Sequence, residues 1–162
     1  MTRLVLAAAL LVSMSGVRAD KPYDFNGLKL GTSLATVQDQ RRWDCVNSKG
    51  HKGQATCFLD REHKESIGGV AVDTVSLQFR SGRLSAISAF FPEQDFEKVL
   101  DALKAKYGNP TQEGATSTVC LDTKSTDHEA IWSNGVSKIK AKKCNRRMFR
   151  SMVEYLNAGA KF

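Results

Sequence analysis

Cys45, His51, Cys57 and His63 recur at a constant spacing of six, and thiolate and imidazole at regular intervals are the donor types of a zinc site. Zinc sites usually keep one ligand pair two to four residues apart, whereas every gap here leaves five. The spacing favours a disulfide with two loop histidines over a metal, and no cofactor is expected. A second cluster is Asp127-His128-Glu129. An acid-flanked imidazole has the make-up of a general base, but neighbours on a strand point to opposite faces and are badly placed to act together. No Gly-x-Ser-x-Gly elbow, His-Glu-x-x-His pair or glycine-rich phosphate loop occurs. The sequence argues against an enzyme. The enzymatic alternative is an envelope hydrolase or metal-dependent enzyme using His51, His63 or His128.

The most distinctive feature is cationic. Between Lys138 and Arg150 seven of thirteen residues are basic and none is acidic. Lys138, Lys140 and Lys142 stand two apart, so a strand shows all three on one face and turns Ile139 and Ala141 to the other. Arg146 and Arg147 follow in a loop. A charged face of this kind can simply keep a sheet edge from aggregating. It can equally receive an acidic partner: an envelope or extracellular protein, an anionic glycan or lipid headgroups. Lys138, Lys140, Lys142, Arg146 and Arg147 are the candidate binding residues. Nucleic acid is disfavoured, because no aromatic is interleaved before Phe149 and no binding motif accompanies the run.

Compartment follows from the ends and the cysteines. Arg3, the apolar run Leu4 to Val12 and the exit Val17-Arg18-Ala19 have the grammar of a secretory signal peptide over residues 1–19. That run is too short to span a bilayer, and no later segment is a better transmembrane candidate. Removing residues 1–19 takes two of 24 basic residues and no acid, lowering the net charge from +7 to +5. Residues 20–162 then make a single domain, periplasmic or secreted, able to bury roughly 70% of its unfolded surface. The four cysteines allow three connectivities of two disulfides. They fall one pair to each half, and local closure costs least, which favours Cys45 with Cys57 and Cys120 with Cys144.

The elements follow from periodicity. Ser33 reads as the N-cap of a helix from about Leu34 to Arg42, closed by Trp43, and Ala55 to Leu59 as a short strand. Val75, Leu77 and Phe79 alternate with polar residues and return through Ser81-Gly82 into Arg83 to Phe91, a hairpin with one buried face. Asp95 opens a helix whose Phe96, Val99, Leu100, Leu103 and Tyr107 form one stripe, stopped by Gly108. A strand with a cysteine, Thr116 to Leu121, precedes the Asn134-Gly135 hairpin of Glu129 to Ser133 and Val136 to Lys143, and Phe149 to Leu156 reads as a last strand. The expected fold is α+β: an antiparallel sheet with two helices packed on one face, in tandem helix-strand units of about 24–92 and 93–158.

Two phrases carry a resemblance. Phe25-Asn26-Gly27-Leu28-Lys29-Leu30-Gly31-Thr32-Ser33 before the first helix, and Leu100 to Tyr107 running into Gly108-Asn109-Pro110, are similar to the opening and closing phrases of small exported bacterial domains. These resemble the β-lactamase inhibitory protein and the outer-membrane assembly lipoproteins. The resemblance implies a non-enzymatic scaffold that offers a sheet face or loops to a protein partner. No lipid-attachment cysteine accompanies it, and no inhibitory motif transfers residue by residue. The expected function is therefore an exported, non-enzymatic protein-binding module, inhibitory in the nearest analogy. The remaining alternative is a structural or stress-response envelope protein on an anionic glycan or lipid surface.

Overall fold

The computed structural model describes residues 21–120, 126–145 and 150–159. The signal peptide expected at 1–19, Arg146 and Arg147, and the ends of two expected strands, Leu121 and Phe149, lie outside the described residues. Strands account for 51% of the structure and helix for 16%, which overturns the α+β expectation of two helices on a sheet. The first expected helix is one turn, α1 (Leu34–Gln38). Ser33 caps it as expected, its Oγ accepting from Thr36 N (3.1 Å), but the turn buries only Val37. A single anchored residue cannot hold a longer helix against the sheet. The chain turns through 39–42, and Trp43, expected to close the helix, opens β3 (Trp43–Asn47) instead.

Eight strands form the main antiparallel sheet. After β3 come β4 (Ala55–Leu59), β7 (Thr74–Arg80), β8 (Arg83–Phe91), β9 (Gln112–Val119), β10 (Thr126–Ser133), β11 (Ser137–Asn145) and β12 (Arg150–Asn157). Their order across the sheet is β3-β4-β7-β8-β12-β11-β10-β9. Each half of the chain supplies four neighbouring strands, and the halves join where β8 pairs with β12, Ala89 opposite Val153. Two small hairpins complete the strands: β1 (Asp24–Phe25) with β2 (Leu28–Lys29), and β5 (Ser66–Ile67) with β6 (Val70–Ala71).

The one long helix among the described residues, α2 (Phe96–Tyr107), follows a 3-10 turn at Glu93–Asp95 and buries Phe96, Val99, Leu100 and Leu103. These side chains share one core with Leu77 and Phe79 of β7, Ile87 of β8, Trp132 of β10, Ile139 of β11 and Val153 of β12. Trp132 donates Nε1–H to the carbonyl of Gly108 (2.8 Å), which ties the end of α2 to the sheet. The β1–β2 hairpin joins the same side: Phe25 meets the Tyr155 ring edge-on at 5.9 Å, and Tyr107 Oη donates to the Asp24 carbonyl (2.8 Å). Burial pushes the Tyr155 phenol well above its ordinary range, with Tyr107 and Asp24 adding to the effect.

Both disulfides are local. Cys45 and Cys57 face each other directly across β3 and β4, with Cα atoms 3.9 Å apart. Cys120 joins Cys144 across 5.3 Å, linking the segment after β9 to β11. Two disulfides are compatible with an oxidising, extracytoplasmic setting. No helix among the described residues is long and apolar enough to cross a membrane.

Candidate functional site

Because strand side chains alternate, the core takes one face of the sheet and leaves the other with a different set of residues. Register follows that outer face from strand to strand. One row runs Asp44, Phe58, Ser76, Ser88, Glu154, Lys140, Ile131 and Gln112; the next runs Val46, Thr56, Gln78, Ala86, Leu156, Lys138 and Ser133. None of these residues belongs to the core cluster. The helices and small hairpins contribute their buried residues to the core side. At the β3–β4 end of the outer face, Val46 is 64% and Phe58 44% exposed.

The three candidate lysines lie on this face as their spacing requires, but not as an open field of positive charge. Lys140 Nζ is 3.0 Å from Glu129 Oε2, and Lys142 Nζ is 3.4 Å from Asp127 Oδ2. Only 15% of the Lys140 side chain is exposed. Outside this row, Lys143 Nζ lies 3.6 Å from Glu97 of α2, and Arg150 Nε 3.0 Å from Asp73. The run contains no acid of its own, yet neighbouring elements supply one to each of these cations. Asp127 is fully buried: besides Lys142 it accepts from Cys144 N (2.9 Å) and Thr116 Oγ1 (3.3 Å).

The histidines do not converge. His51 is exposed in the β3–β4 loop, and His63 lies in the following loop, 3.8 Å from Asp60. His128 faces the core side, its ring 5.5 Å from Phe96 and its Nε2 3.3 Å from Glu113, which also binds Lys104 Nζ (2.8 Å). Of the regular Cys-His series, Cys45 and Cys57 are bonded to each other, so neither offers a thiolate. The one group of three potential ligand side chains among the described residues is Glu93, Cys120 and Cys144, and there too both sulfurs are in a disulfide.

Residues 23–160 match the family model of the TP0088 domain. The chain belongs to the TP0088 domain family. No curated protein and no solved structure matches it. In this TP0088 domain a concavity of about 580 Å³ lies on the outer face, at the end where β7 turns into β8, and Ala86, Leu156, Arg80, Arg83 and Glu154 are among the residues that line it. Charge runs drew the sequence reading to β11 and away from these residues. The signal for them was present in Arg80-Ser81-Gly82-Arg83, where a two-residue turn between strands sets two arginines on the side opposite Phe79 and Leu84.

Proposed function

We propose that this TP0088 domain is an exported, non-enzymatic binding module that meets a protein partner with the outer face of its eight-stranded sheet. The observation that carries the reading is the asymmetry of that sheet: one face holds the whole core cluster, while the other mixes exposed Val46 and Phe58 with charged and small side chains. Apolar side chains beside charges that are already paired suit a protein surface, since the pairs add selectivity by orientation and the apolar area adds affinity. The signal-like N-terminus and the two disulfides favour export. The resemblance to exported inhibitory and assembly domains points the same way.

The test is positional. A photoreactive phenylalanine analogue replaces Ser76 or Ile131 on the outer face, or Asp101 on α2, in the native host. The reading expects crosslinks to the same protein from both outer-face positions and none from Asp101. Equal yields from all three positions, or yield from Asp101 alone, would overturn it.

A further inference from the structure

We infer that the cleft beside the β7–β8 turn is a carboxylate-recognising subsite that receives an acidic peptide segment of the partner; this deepens the outer-face reading and rests on it. Ser81 and Gly82 take φ values of 51° and 71°, so the turn is tight and Arg80 and Arg83 stand directly opposite each other. Phe79 and Leu84 are buried in the core, which sends both guanidinium groups to the outer face. Like charges directly opposite destabilise a hairpin. Among the described residues neither arginine forms an ion pair, and Arg83 donates only to the carbonyl of Gly31 (3.3 Å). The contrast with β11 is direct: there Lys140 and Lys142 have carboxylates, while here two cations meet across the strands with no acid between them.

The cleft adds shape to that charge. Its volume of about 580 Å³ falls within the range of ligand sites. Ala86 and Leu156 give it apolar lining beside the two arginines. Glu154 closes the far side, its Oε1 accepting from Ser88 Oγ (3.3 Å). A ligand that fits presents a carboxylate to the arginines, which match its planar geometry with paired donors, and an aliphatic side chain to Leu156. An N–H or ammonium group of the same segment can face Glu154. An acidic side chain next to a leucine or valine, in extended peptide, has this composition.

The probe is the peptide acetyl-Glu-Leu-Glu-amide, titrated into the isotopically labelled full chain and followed by backbone amide shifts. Its glutamine counterpart and inorganic phosphate serve as comparators. Saturable shifts confined to the cleft are expected from the glutamate peptide, with affinity falling as salt rises. Arg80→Gln with Arg83→Gln should weaken binding at least tenfold, and Lys98→Gln, on α2 away from the outer face, should leave it unchanged. Arg80→Lys with Arg83→Lys keeps the charge but not the fork, and should fall between wild type and the glutamine pair, which keeps the test readable if that pair folds poorly. Equal binding of the glutamine peptide, insensitivity to the arginine variants, or the same shifts from phosphate alone would overturn the subsite. Crosslinking from Ser76 without peptide binding would reject the subsite and leave the outer-face reading standing; peptide binding without crosslinking would overturn the outer-face reading and, with it, the cleft's role as a partner subsite.

Discussion

Replacing Asp127 by alanine should destabilise this domain by about 3 kcal/mol, because its carboxylate serves three partners from a fully buried position. The Cys144 N–H loses a charge-assisted bond of 2.9 Å and is left without its acceptor inside the protein, at a cost of roughly 1.5–3 kcal/mol. The Thr116 hydroxyl at 3.3 Å adds about 0.5 kcal/mol, since it can turn to water. Lys142 is 32% exposed, so its lost attraction is screened and contributes under about 1 kcal/mol. The measurement is urea unfolding with both disulfides intact, followed by circular dichroism. Asp127→Asn keeps an acceptor for Cys144 and should cost less than the alanine. Lys142→Met keeps the aliphatic stem and should cost under about 1 kcal/mol. The reasoning fails if Asp127→Ala costs less than about 1 kcal/mol, or if Lys142→Met costs as much as Asp127→Ala.

Trp132→Ala should cost about 4 kcal/mol in the same assay, removing a ring only 1% exposed and the donor to Gly108; a cost near 1 kcal/mol would deny it that role. A side chain at Gly68 would collide with the Ala102 side chain of α2, and φ there is +58°, so Gly68→Ala should cost about 2 kcal/mol. Adding Ala102→Gly should recover part of that loss despite its own helix cost, and strictly additive effects would show that the two do not meet. Tyr155 sets a limit at high pH: its native pKa is raised, first by burial, while an unfolded tyrosine ionises near pH 10. Its contribution is whole below about pH 10 and is lost as the pH climbs toward the native value, at up to about 1.4 kcal/mol per pH unit. Tyr155→Phe should remove that part of the slope; identical slopes for the two proteins would contradict it.

Some of this protein is readable along the chain because the cause is local. The alternation of Val75, Leu77 and Phe79, the turn at Ser81-Gly82 and the Phe96–Leu103 stripe each match an element in the structure, since a repeating apolar spacing selects a strand or a helix without distant help. The disulfide pairing follows from short loops in the same way. The helix expected from Leu34 to Arg42 misled because Leu34 and Val37 satisfy the helical period over one turn only, while Trp43 is claimed by its register opposite Leu59. What tertiary structure alone decided is the company each charge keeps. Residues 138–150 contain no acid, but strand order sets Glu129 and Asp127 of β10 beside Lys140 and Lys142, and α2 brings Glu97 to Lys143. Pairing β8 with β12 likewise brings Leu156 to Ala86, and with them the cleft beside Arg80 and Arg83, from residues some seventy positions apart. Hydrophobic period fixes which way a side chain points. Which carboxylate waits there depends on long-range register, and no local pattern encodes that.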